Sequence, residues 1–141
     1  MAGMNTTEKC FMLSSKIMSL GENFGGSEER VIFNLLAEYS SELGAGINAM
    51  AYLPAASMRA EQAVELVKCV QKVIYNLNLA RRDGLFPDAG LEDMLSLAIS
   101  VANDITVMVE QYCLGVQPVV PVTFEGGDDP DGFDLPYNDK K

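Results

Sequence analysis

The chain contains no histidine and no tryptophan. Without imidazole it lacks the commonest general base near neutral pH and the commonest transition-metal ligand. Nucleophiles of the Ser-His or Cys-His kind are excluded with it. Cysteine is scarce: Cys10, Cys69 and Cys113 are widely spaced, and no Cys-x-x-Cys occurs. An odd thiol count fits a reducing compartment, and the three read as small buried hydrophobes. A reactive thiol needs a basic neighbour, and only Cys10, which follows Lys9, has one adjacent. No segment approaches the roughly 18 uncharged apolar residues a membrane span needs. Met1–Lys9 has no apolar run of secretory type. The expectation is a cytoplasmic protein without a membrane span. The phosphate-cradling patterns GxxxxGK[ST] and GxGxxG are also missing.

Positive charge is sparse as well. Ten Lys and Arg stand against 20 Asp and Glu, for a net charge of −10. An acidic chain repels phosphate backbones, which disfavours nucleic-acid binding unless the basic residues segregate on one face. In the body of the chain Arg81-Arg82 forms a basic pair, with Lys68 and Lys72 upstream. Residues three or four apart are neighbours on a helix, so Lys68, Lys72 and, less well, Arg82 share a face. Lys68, Lys72, Arg81 and Arg82 are candidate partner-binding residues. A solvated helix face is the bland alternative.

What is present is helical periodicity. From Ala63 an apolar stripe runs Val67, Val70, Ile74, Leu77. From Leu91 another runs Met94, Ala98, Val101 with Ala102, Ile105, Met108 with Val109, and Tyr112. Steps of three and four residues mark helices that bury one face against other helices. With 141 residues the chain is one domain, large enough to bury a core without disulfide or metal support.

Punctuation sets the helix ends. Asn5-Thr6-Thr7-Glu8 reads as a capping box opening a first helix to about Leu20, with Phe11, Leu13, Ile17, Met18 and Leu20 as its apolar residues. Gly21 and the Gly25-Gly26 pair end it. Ser27 is the expected cap of a second helix, with Glu28 and Glu29 in the first turn. Its stripe is Ile32, Leu35, Leu36, Tyr39, Leu43, Ile47 and Met50, and Pro54 stops it. Gly44 and Gly46 weaken its middle by about 1 kcal/mol each relative to Ala, which leaves close approach of another helix, a bend, or simple tolerance as readings. Ser57 is the expected cap of a third helix reaching about Arg82, with Gly84 as its stop and Leu85-Phe86 under the turn. Pro87-Asp88 opens a fourth, with Asp88 as cap, that runs to about Cys113.

After Val116 the composition changes. Gln117–Phe124 is rich in Pro and β-branched residues, without a helical period, and reads as extended. Glu125–Lys141 is Gly, Asp and Pro with aromatics interspersed, the composition of a disordered tail. Phe124, Phe133, Leu135 and Tyr137 are candidate docking residues for a partner, against a purely solubilising role. Asp128–Gly132 superficially resembles a calcium loop, but it lacks the ligand spacing and the closing Glu. The helix acids mostly fall off the apolar stripes; Asp104, beside Ile105, is nearest a seam. No cofactor or metal is expected. Asn48, Asn76, Asn78 and Asn103 lie close to the stripes, where Asn more often fixes register or meets a backbone group than catalyses.

Val73–Met108 carries a family resemblance. Leu77-Asn78-Leu79-Ala80-Arg81-Arg82-Asp83-Gly84-Leu85-Phe86 looks like the Leu-rich, Ala-Arg, Gly-hydrophobic helix end of the four-helix-bundle proteins encoded by intervening sequences in bacterial ribosomal RNA genes. It is also similar to the related accessory proteins of diversity-generating retroelements. Gly46-Ile47-Asn48-Ala49 more loosely resembles a small-residue and Asn segment of the family's second helix. The resemblance spans about residues 6–113 and rests mostly on packing positions. It implies ring-shaped homo-oligomers, often pentamers, and, for the retroelement proteins, binding to a reverse transcriptase and RNA through a basic surface. The acidic balance and Asp-rich tail of this chain depart from that pattern.

These readings converge on an all-α protein. The expected architecture is an antiparallel up-down four-helix bundle over 1–116, with an extended or disordered acidic C-terminal arm over 117–141. The expected function is a non-catalytic, self-associating scaffold or adaptor with a protein partner, such as a reverse transcriptase. The alternative is a bundle that docks a protein partner through its tail.

Overall fold

Asn5 starts the first helix as its sequence predicts. Its side chain accepts from the Glu8 backbone N–H at 2.8 Å, and the Glu8 carboxylate accepts from the Asn5 N–H at 3.1 Å. This satisfies two of the donors every helix start leaves open. The structure, a computed structural model, describes residues 4–21 and 26–113. Its helices are α1 (Thr6–Leu20), α2 (Ser27–Met50), α3 (Ala56–Arg82) and α4 (Asp88–Cys113). No strand occurs among the described residues. The arm over 117–141, with Phe124, Phe133, Leu135 and Tyr137, lies outside them, as do Gly25 and the Asp128–Gly132 segment.

Several boundaries shift from the sequence expectations. Ser27 is the first residue of α2 and Gly26 takes the cap position, with no side-chain cap bond. Ser57 likewise falls inside α3, which is capped by Ala55 without a side-chain bond. Asp88 is the first helical residue of α4, one place inside the position expected of a cap. α2 ends at Met50, well before Pro54. Arg59, reaching back from the first turn of α3, donates to the Leu53 carbonyl in that connection. Gly21 stops α1 in right-handed geometry, φ −64°, not the left-handed form. Gly84 does adopt φ +66°, where any side chain would be strained. There the Leu85 N–H reaches back to the Ala80 carbonyl at 2.9 Å, closing α3 and folding Phe86 into the core.

Each helix packs on two others: α2 and α4 both flank α3, and both flank α1. Neither α1 with α3 nor α2 with α4 comes into backbone proximity among the described residues. Lys9 and Lys16 of α1 face Asp104 and Asp93 of α4. Arg59 and Arg81 of α3 face Tyr112 and Glu92 of α4. On α2, Tyr39 meets Cys69 of α3, and Gly46 meets Gln62.

The core lies between all four helices. Leu13, Ile17, Leu36, Leu43, Val70, Val73, Leu77, Leu97, Val101 and Ile105 are fully enclosed. The expected stripe on α3 is only partly right: Val67 and Ile74 are half-buried, while Leu66, Val73, Asn76 and Ala80 are buried. A helix flanked on two sides buries a broad face, not a single line of residues. Leu97 joins the buried face of α4 for the same reason.

The two α2 glycines divide in role. A Cβ on Gly46 would come within 2.9 Å of the Gln62 amide nitrogen and closer still to Leu66 Cδ2, so α3 approaches α2 closely here and an added methyl makes both side-chain ends shift. A Cβ on Gly44 would meet only Cys10 Cβ, at an ordinary 3.8 Å.

Candidate functional site

The basic candidates all sit on α3, which carries Arg59, Lys68, Lys72, Arg81 and Arg82 against Glu61 and Glu65. Five of the ten Lys and Arg in the chain thus lie on one helix. α4 carries Asp88, Glu92, Asp93, Asp104 and Glu110 with no basic residue. Lys68, Lys72, Arg81 and Arg82 are all exposed. Lys68 lies 3.4 Å from Glu65, and Arg81 lies 3.7 Å from Glu92. Exposed pairs of this kind hold their partners weakly and yield to a stronger anion. Lys72 Nζ sits 5.1 Å above the Tyr39 ring, a cation–π contact that orients it across the α2–α3 junction. Tyr75 stands exposed between Lys72 and Asn78. Arg59 is spent structurally, on the Leu53 carbonyl and over the Tyr112 ring at 5.6 Å.

Asp104 is a structural acid. Its Oδ2 accepts from Lys9 Nζ and from Thr6 Oγ1, both at 2.8 Å. Lys9 is 8 % exposed. Sequence periodicity offers no hint of a buried lysine, because its partner lies 95 residues away.

Cys10 and Cys69 are buried, as their sequence neighbourhoods suggest. Burial pushes the Cys10 thiol from 9.0 up to about 11, with Asp104 and Cys69 adding to the effect and Lys9 opposing it. The adjacent lysine therefore does not activate this thiol. Burial likewise lifts Cys69 to about 11, with Glu42 assisting and Lys72 opposing; its thiol lies 3.1 Å from the Tyr39 carbonyl and donates to it. The side chain of Cys113 lies outside the described residues. Asn76, buried, donates to the Lys72 carbonyl at 2.8 Å, while Asn48, Asn78 and Asn103 are exposed. Among the described residues no group of three acidic or thiol side chains is placed to hold a metal ion. No helix among them is long and apolar enough to cross a membrane.

A groove of about 340 Å³ runs between α1 and α2. Cys10, Phe11 and Ser14 form one wall, and Ser41, Gly44 and Ala45 the other; none of the lining residues is charged. Phe11 stands at its edge, 71 % exposed, and Met18, two turns further along α1, is 58 % exposed. Both belong to the apolar pattern of α1, and the structure turns them to solvent. Periodicity alone does not separate them from core, since α1 is short and its apolar residues surround it.

No family model, curated protein or solved structure matches the chain.

Proposed function

We propose that this chain is an antiparallel up-down four-helix bundle acting as a non-catalytic, self-associating adaptor that binds a protein partner. One observation supports the reading: five of the ten Lys and Arg lie on α3, with Lys68, Lys72, Arg81 and Arg82 exposed, in a chain whose balance is strongly acidic. Basic residues concentrated on one helix steer an acidic partner toward it. Lys68, Lys72 and Arg82, with Tyr75 near them, are the contact residues, and Arg81 flanks them on the side of α4. The helix end Leu77–Phe86, where the resemblance to the retroelement accessory proteins is strongest, lies on the same element and its following turn. That makes a reverse transcriptase, with or without its RNA, the partner to try first. The contacts that join α1 to α4, α3 to α4 and α2 to α3 run antiparallel and support the bundle topology.

The test is binding of a retroelement reverse transcriptase and of its RNA at low salt. Binding that weakens with salt, and that falls at least about tenfold in a Lys68→Glu, Lys72→Glu, Arg82→Glu variant, supports the reading. Failure to bind either at low salt overturns it.

A further inference from the structure

We infer that the exposed line of α3 from Lys68 to Arg82 is the docking site of this chain's own acidic C-terminal segment, residues 125–139, in a contact that any partner for α3 must displace. The contact stands on charge and reach; its regulatory consequence rests on the proposed function.

Charge chooses the occupant. Residues 125–139 hold six acids and no base: Glu125, Asp128, Asp129, Asp131, Asp134 and Asp139. The segment lies outside the described residues, and its charge follows from sequence alone. Of the helices, α2 carries Arg30 against four acids, and α4 carries five acids and no base. On α1, Lys9 is held by Asp104, and Lys16 lies 3.9 Å from Asp93. α3 has the largest surplus of cations, and from Leu66 to Arg82 it holds Lys68, Lys72, Arg81 and Arg82 with no acid. Lys68, Lys72, Tyr75 and Arg82 follow at steps of four, three and seven residues, so they share one exposed line. Exposed acids border it: Glu65, 3.4 Å from Lys68, Glu38 and Glu42 on α2, and Asp83 beyond Arg82. Exposed pairs of this kind are weak, and a tethered segment with six acids competes with them.

Reach is the second observation. Arg59, in the first turn of α3, lies 5.6 Å from the centre of the Tyr112 ring, so α4 ends beside the start of α3. Lys68, Lys72 and Arg82 lie about 18, 24 and 39 Å along α3 from Ala56, at about 1.5 Å per residue. At about 3.3 Å per residue the chain beyond Cys113 extends at most about 40 Å to Glu125 and about 70 Å to Asp134. The acids therefore reach all three cations.

The line also offers an aromatic. Tyr75 is 66 % exposed. In the segment, Phe133, Leu135 and Tyr137 stand beside Asp134, so one short stretch brings an acid to a lysine and an apolar side chain to the Tyr75 ring.

The experiment places a nitroxide on the segment in the full chain. Cys113→Ser with Asn138→Cys leaves one accessible thiol, since Cys10 and Cys69 are buried. At low salt the amide signals of Lys68, Lys72 and Tyr75 should lose at least about half their intensity relative to those of α1, which makes no backbone approach to α3. The loss should disappear in about 0.5 M NaCl, where screening is nearly complete beyond a few ångströms. It should also disappear in two variants. One is Lys68→Glu, Lys72→Glu, Arg82→Glu, all at exposed positions. The other is Asp128→Asn, Asp129→Asn, Asp131→Asn, Asp134→Asn, which leaves the four helices untouched. A loss spread evenly over the helices, centred on another helix, or unchanged by salt overturns the inference. An equal loss in isotope-labelled chain mixed with nitroxide-bearing unlabelled chain makes the occupant a second copy's segment and overturns the contact within one chain. No partner enters this experiment, so the contact can hold where the proposed partner fails to bind, and the partner can bind where the contact fails.

Discussion

Lys9 Nζ and Asp104 Oδ2 lie 2.8 Å apart and tie the start of α1 to the second half of α4. The same carboxylate oxygen accepts from Thr6. Lys9 is deeply enclosed, so removing Asp104 leaves a buried polar group without its partner. Asp104→Ala should therefore cost about 2–3 kcal/mol in urea unfolding. The double replacement Lys9→Met, Asp104→Leu should recover most of that loss, because the apolar pair leaves nothing unsatisfied. A double variant as unstable as the single one would show that the pair contributes net stability.

The seam between α3 and α4 should be the most sensitive part of the core. Leu77 and Ile105 are fully enclosed. Leu77→Ala or Ile105→Ala should each cost about 2–5 kcal/mol, the loss of buried methylenes plus an unfilled cavity. An unchanged melting temperature for either would contradict their placement.

The two α2 glycines should respond oppositely to alanine. Gly46→Ala forces Leu66 and the Gln62 amide to move and should destabilise by about 1–3 kcal/mol. Gly44→Ala meets ordinary contact and gains helix propensity, so it should be neutral or stabilising by up to about 1 kcal/mol. Urea midpoints measured on both variants settle the contrast.

Cys10 and Cys69 should behave as protected thiols. With Cys113 replaced by Ser, the native chain should resist iodoacetamide at about pH 8 and react fully in urea, since only the thiolate attacks. Both thiols titrate at about 11 when folded, against 9.0 when free. The folded state therefore holds these protons more tightly than the unfolded one. Their contribution to stability is complete below about pH 9 and is lost as pH rises toward about 11. Replacing both with Ala should flatten the fall in melting temperature across that window.

Much of this protein is decided locally and so is legible in its sequence. The capping box at Asn5, the positive-φ stop at Gly84 and the stripe of α4 depend on residues within a turn or two of each other. Four helices, their approximate lengths and the burial of Leu77, Ile105 and Cys69 follow from those local rules. The tertiary structure decided whatever depends on distant residues. Which apolar residues of α1 are core and which are surface depends on where α2 and α4 lie, and only packing turned Phe11 outward while burying Lys9. Gly44 and Gly46 are indistinguishable in the sequence; the approach of α3 crowds Gly46 with the Leu66 and Gln62 side chains and leaves Gly44 open. The basic residues of α3 can be counted in the sequence, but that Arg81 meets Glu92 of α4 and Lys72 meets Tyr39 of α2 arises from the helix arrangement. A local rule reads three or four residues along one helix, whereas the contacts between helices and the groove between α1 and α2 are properties of helices brought together.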